Sequence, residues 1–187
     1  MTKTVVVYQS HYGTTEKYAQ WIAEDSKADL FKVSDITTET LLTYDTIVYC
    51  GGLYAGGILG FPIIKKNFSR LTNKNIIAVA VGATLKKAED IEAVKNKNLT
   101  PEMRDAVCFF MLRGGLNYKK MSLLHKAMMF LLVTFLKFKK SDKLDNDSKG
   151  LIATYGKVVN FTDKDTIGPI INEIQNLTSA SSNKINK

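Results

Sequence analysis

The sequence predicts an α/β domain in which a parallel sheet is covered by helices on both faces. Three observations predict it. Apolar, β-branched runs recur five times, and helically spaced apolar residues fill the intervals between them. Some runs are apolar at every position, as in Ile76 to Val81, which marks strands buried on both faces. The runs also end on small or hydroxyl residues: Ser10 to Thr15, Gly51-Gly52 and Gly82. With 187 residues and 45% hydrophobic content the chain can bury a full core, and one domain over residues 1–178 is expected.

Taken in order, the first strand covers Thr4 to Gln9 and the first helix Thr14 to Asp25, with Ala19, Ile22 and Ala23 on its apolar stripe. A second strand, Ala28 to Val33, leads to a short helical turn over Thr38 to Leu42. The third strand is Asp45 to Cys50. A helix with Phe61, Ile64 and Phe68 on one side follows over Gly60 to Leu71. The fourth strand is Ile76 to Val81, and a polar helix covers Lys86 to Lys97. Thr100-Pro101 reads as a cap with proline at the first helical position. Val107 to Leu112 is the fifth strand. The last helix starts near Thr166 to Pro169 and carries Ile170, Ile171, Ile174 and Leu177. The Ser/Asn/Lys-rich segment 179–187 reads as a disordered tail.

The first strand-to-helix loop, Ser10-His11-Tyr12-Gly13-Thr14-Thr15, concentrates hydroxyls at a helix N-terminus. Free N–H groups and the helix dipole favour an anion there. Gly13 permits close backbone approach or a positive φ. The loop holds no lysine or arginine, which suits one phosphate monoester better than a triphosphate with its magnesium, and no Walker pattern is present. An ordinary Thr-capped turn is the alternative. The loop Gly51-Gly52-Leu53-Tyr54-Ala55-Gly56-Gly57 can lie flat against a planar ligand, with Tyr54 stacking on it, or can serve as a flexible connector.

Cys50 and Cys108 lie in apolar runs without metal-ligand spacing and read as buried thiols. Lys3 runs directly into a strand pattern with no long apolar leader, so a cytoplasmic location is expected. The net charge is +8. Nine Lys/Arg against three Asp fall between Arg113 and Gly150, so +6 of that charge sits in one segment. Its centre, Met121 to Phe138, is an apolar helix interrupted by His125 and Lys126, too short for a bilayer span. Such a helix can lie at a membrane surface, pack on the domain's own sheet, or pair with a second copy as a homodimer. No recognition motif accompanies the charge, so no nucleic-acid partner is expected.

The first loop resembles the flavodoxin phosphate signature Thr/Ser-x-Thr-Gly-x-Thr, with Ser10, Gly13 and Thr15 at matching positions and Tyr12 replacing the middle Thr. The resemblance implies a flavodoxin-like doubly wound sheet of five parallel strands, order 2-1-3-4-5, with a basic helical insertion (about 113–150) after strand five. It also implies FMN as cofactor, with the phosphate held by Ser10, His11, Tyr12, Gly13, Thr14 and Thr15. Gly52, Leu53, Tyr54, Ala55, Gly56 and Gly57 would flank the ring on one side, and Gly82, Ala83 and Thr84 on the other. Gly82-Ala83-Thr84-Leu85 lacks an aromatic residue, so one ring face is expected to be less shielded.

The fifth strand runs into Arg113-Gly114-Gly115-Leu116-Asn117-Tyr118 and then the basic insertion. This pattern resembles the menaquinone-dependent protoporphyrinogen oxidases and their flavodoxin-domain relatives from Lys3 to about Leu177, with His11 and Tyr12 where a basic and an acidic residue are common. That resemblance implies an oxidoreductase with a redox partner protein, a quinone or a porphyrin as its counterpart, peripheral at the inner face of the membrane. His11 reads as a proton donor, a phosphate contact or a solvent-facing loop residue. No catalytic residue and no metal site is assigned.

Overall fold

The computed structural model describes residues 2–83, 88–139, 144 and 146–185, with the backbone alone at 146, 147 and 181–185. In chain order the elements are β1 (Thr4–Gln9), α1 (Thr14–Ser26), β2 (Asp29–Lys32), α2 (Thr38–Leu41), β3 (Thr46–Tyr54), β4 (Gly57–Ile58), α3 (Pro62–Lys66) and β5 (Asn75–Gly82). There follow α4 (Ala88–Asn98), α5 (Pro101–Ala106), β6 (Val107–Arg113), β7 (Gly115–Asn117), α6 (Leu123–Phe138), α7 (Asn146–Thr154), β8 (Val158–Asn160) and α8 (Gly168–Ile185). The sheet order is β2-β1-β3-β5-β6, all parallel, with β4 folded back on β3. Without the β4 hairpin strand, this is the expected 2-1-3-4-5 order.

Alternation along each strand divides the core into two layers. Val5, Val7, Ile47, Tyr49, Ile76 and Ala78 face Leu41, Phe61, Ile64 and Met103. Val6, Val48, Cys50, Ile77 and Val79 face Tyr18 and Ile22 of α1 and Ile170 and Ile174 of α8. Ile47 through Cys50 have no exposed surface, because β3 is central and covered twice. Each such aliphatic side chain contributes roughly 1.5–3 kcal/mol of burial.

Four expectations change. The helix expected over Gly60 to Leu71 is only α3 plus a 3₁₀ turn at Phe68–Arg70. Pro62 sets its start, and the Asn67 side chain donates to the Ile63 carbonyl (2.8 Å), where a continuing helix would place its own N–H. The glycine-rich connector is instead a strand: β3 runs on to Tyr54 and reverses through Ala55-Gly56 into β4. A small antiparallel sheet, β7 with β8, joins the two ends of the insertion. At the C-terminus α8 continues to Ile185, so the polar stretch expected as a disordered tail is helical through that residue. Its packed first turns supply the nucleus that makes further turns inexpensive.

Cys50 is buried as expected, whereas Cys108, also expected to be buried, is only half-buried because β6 is an edge strand of the sheet. Burial pushes the Cys50 thiol far up, and Cys108 is pushed up to about 11 by burial and by the Glu173 carboxylate, which accepts from its sulfur at 3.2 Å. The folded protein is therefore expected to leave Ellman's reagent almost uncoloured at pH 8 and to release two equivalents in denaturant. Rapid native labelling of Cys50 would contradict the double coverage of β3.

Candidate functional site

The carboxyl ends of β1, β3, β5 and β6 open into one cavity of about 450 Å³. At one end lies the N-terminus of α1. Gly13 sits there with φ +91°, and no side chain among the described residues caps the helix. The Gly13 N–H donates to the Ser10 hydroxyl (3.0 Å), which folds the loop back on itself. Thr14 and Thr15 complete this wall, and Thr15 is buried. An uncapped helix end ringed by neutral hydroxyls has free N–H donors and a positive dipole end suited to an anion.

The middle of the cavity is bounded by Gly52, Leu53 and Tyr54 on β3, Gly82 and Ala83 after β5, and Gly114, Gly115 and Leu116 after β6. Gly114 lies close to both Val81 and Thr14: an added Cβ would stand 2.7 Å from the Val81 side chain. Its N–H donates to the Gly82 carbonyl (2.7 Å), which keeps the β5 and β6 ends together. The far wall is the insertion. Met121, His125, Met128, Met129 and Leu132 close the cavity from α6. The rim is aromatic. The Tyr12 hydroxyl and His125 Nδ1 share a hydrogen bond, and the Tyr54 and His125 ring centroids are 4.6 Å apart. The His11 ring lies 5.7 Å from that of His125, so both histidines of the chain meet here. Burial, and then the neighbouring Tyr54, push the Tyr12 phenol up and keep it protonated at neutral pH.

The flavodoxin-domain family profile matches residues 5–143, most of the chain. The chain belongs to the flavodoxin-domain family. A 55-residue stretch is 33% identical to an uncharacterised protein of Methanocaldococcus jannaschii, covering 29% of this chain and 37% of that relative. Thus the match spans little more than a third of the relative's length. The fold is similar to a WrbA-like flavodoxin from Agrobacterium tumefaciens, with 20% identity, TM-score 0.43, and 66% of this chain and 87% of that one covered. It is also similar to an oxidised flavodoxin 1 from Bacillus cereus, with 17% identity, TM-score 0.42, and 74% and 100% covered. A third is an FMN-complexed flavoprotein from Lactobacillus acidophilus, with 16% identity, TM-score 0.39, and 60% and 93% covered.

In this flavodoxin domain, Ser10, His11, Tyr12, Thr14, Thr15, Gly52, Leu53, Tyr54, Ala55, Gly82 and Ala83 all line the cavity. Gly13 shapes it from behind: a Cβ there would meet nothing within 4 Å, so its positive φ, not crowding, is what calls for glycine. Gly56 and Gly57 stand off the cavity wall, because the hairpin carries them past its end. Thr84 lies outside the described residues. Sequence reasoning missed the α6 wall, since nothing local says which neighbour a helical face meets.

The hairpin has its own brace. Ala55 holds φ +46° and Gly56 φ +76°, a left-handed pair that glycine or asparagine would adopt more readily than alanine. Asn98 of α4, itself buried, accepts from the Ile58 N–H (2.8 Å) and donates to the carbonyls of Gly56 and Val94 (2.8 Å each). Lys97 donates to the Ala55 carbonyl (2.6 Å). Replacing Asn98 by alanine orphans a buried N–H and a carbonyl and is expected to cost about 1–3 kcal/mol in urea unfolding. A loss within experimental error would show that water replaces the brace.

Proposed function

We propose that the chain is an FMN-dependent oxidoreductase or electron carrier. The observation that carries this reading is the continuity of the cavity, from the uncapped N-terminus of α1 to the methionine wall of α6. The residues present fit the cofactor. One end offers hydroxyls, helix N–H groups and no lysine or arginine, which suits a terminal phosphate monoester and favours FMN over FAD. The middle offers glycine backbone, Leu53 and Tyr54, which match a flat, largely apolar ring system.

FMN, when bound, supplies reversible transfer of one or two electrons. The chain's own residues do the remaining work. Ser10, Thr14 and Thr15 hold the phosphate, and the braced hairpin sets the Tyr54 ring. Met121, Met129 and Leu132 exclude water from the far wall. His125, tethered by Tyr12, stands at the rim with its imidazole facing the Tyr54 ring.

A narrower form of the reading makes the chain an enzyme of the protoporphyrinogen oxidase type, cytoplasmic, with menaquinone as acceptor. The family resemblance of the insertion and its apolar wall support it. Anaerobic assay of the flavin-loaded protein with protoporphyrinogen and a menaquinone analogue tests it, and no turnover would leave the general oxidoreductase reading alone.

FMN titration followed by flavin fluorescence tests the general reading. Gly13→Val is expected to weaken FMN by more than about tenfold, because a β-branched residue resists φ +91°. Thr15→Ala should weaken it by about 5–30-fold for one lost hydrogen bond to a charged group. Unchanged FMN binding in both variants, with melting temperature as a check on folding, would remove the loop from the site.

A further inference from the structure

We propose that α6 is a docking surface for an anionic lipid bilayer, lying in the plane of the membrane with its cavity-facing side turned inward. The inference stands apart from the cofactor's identity. Eight of the ten large hydrophobic residues exposed among the described residues belong to this one helix. Leu123 and Phe138 are the extremes, 84% and 85% exposed, and Phe130, Leu131 and Phe135 all exceed half. At 100° per residue they form one continuous half of the cylinder, from Phe130 through Leu123, Leu131 and Phe135 to Leu132. An apolar face this large has no counterpart elsewhere on the described surface.

The opposite side of α6 is already occupied: Val133 and Leu136 are buried and His125 bonds Tyr12. At the border of the exposed half, the Tyr54 hydroxyl donates to the Met128 sulfur (2.9 Å). These contacts lay the helix along the body of the domain, so its exposed half faces outward along its full length. Sixteen residues make about 24 Å of helix, short of the roughly 30 Å hydrocarbon core. No helix among the described residues is long and apolar enough to cross a membrane. A helix held lengthwise, apolar on its free side and too short to span, is an in-plane element.

Charge decides which surface covers it. Lys126 and Lys137 flank the apolar half on one rim, Lys119 and Lys120 precede the helix, and the Lys139 ammonium sits over the Phe135 ring at 5.1 Å. From position 106 to 141 the chain contains no Asp or Glu. A second copy packed α6 against α6 would bring no carboxylate of this stretch to the lysines, since an isologous contact offers each copy only the same residues. Anionic headgroups neutralise the same lysines while the acyl region takes the leucines and phenylalanines. Met128 and Leu132 belong both to the exposed half and to the cavity wall, so docking seats the cavity beside the bilayer.

The test is flotation of the full chain with vesicles of equal parts phosphatidylcholine and phosphatidylglycerol, beside vesicles of phosphatidylcholine alone. Binding is expected to the anionic vesicles only, and to fall by about tenfold or more at high salt as the lysines are screened. The double variant Leu131→Glu, Phe135→Glu alters two exposed positions outside the cavity wall. It should lose vesicle binding by at least about tenfold while keeping its melting temperature and FMN affinity. Lys126→Gln with Lys137→Gln should weaken binding and flatten its salt dependence. Equal binding to neutral vesicles, no binding to either, retained binding in the glutamate variant, or a stable dimer that vesicles do not dissociate would each overturn the proposal. Because vesicle binding is read without flavin, its failure is separable from failure of the FMN titration.

Discussion

A parallel sheet must be covered on both faces, and most of this chain follows from that constraint. β3 and β5 are central, and their side chains alternate between the α1/α8 layer and the α2/α3/α5 layer. Every crossover therefore returns over a face, and the strand ends are left free of helix. At the carboxyl edge, β1, β3, β5 and β6 finish beside one another, and a ligand can reach backbone groups from four strands at once. The cavity is a consequence of the coverage, not an addition to it.

The loops at that edge are kept open by local devices of different kinds. At the first, Gly13 supplies a positive φ and α1 begins without a side-chain cap, beside the cavity that Thr14 and Thr15 line. At the second, the alanine of the Ala55-Gly56 turn sits in a region it resists, and α4 compensates through Asn98 and Lys97. Alanine in the left-handed region costs on the order of 1–2 kcal/mol. A buried asparagine whose amide oxygen and nitrogen are both engaged is well suited to offset this. The outcome is a hairpin braced by α4 at the cavity wall in place of a flexible glycine connector.

What the sequence made legible was whatever depends on short range. The loop from Ser10 to Thr15 could be read as a strand-to-helix turn because its hydroxyls, glycine and following helix lie within a dozen residues. The five strands could be read because double burial leaves a continuous apolar run. The Gly51 to Gly57 segment was misjudged as a loop, since four glycines mask a strand that continues through Gly51 and Gly52 by pairing with β1 and β5. The α6 wall was illegible for a different reason. His125 meets Tyr12 across 113 positions, and no periodicity carries that information. The pattern of α6 did show an apolar helix with few polar residues, but not that its sparse polar side, His125 in particular, would face inward.

That inversion bears on why the insertion stays attached at all. Ordinary amphipathic helices bury their apolar side, yet α6 leaves its broad apolar half outside and anchors itself through a minority of residues. Val133 and Leu136 supply buried area, Met128 and Met129 adapt to an irregular wall, and the Tyr12–His125 bond adds a directional tie. The tie also binds α6 to the loop that opens α1, so the insertion and that end of the cavity share a structural element. Movement of α6 away from the body must break a hydrogen bond at the cavity rim and separate the Tyr54 and His125 rings. Whatever fills the cavity and whatever covers the outer face of α6 therefore act on the same helix, from opposite sides.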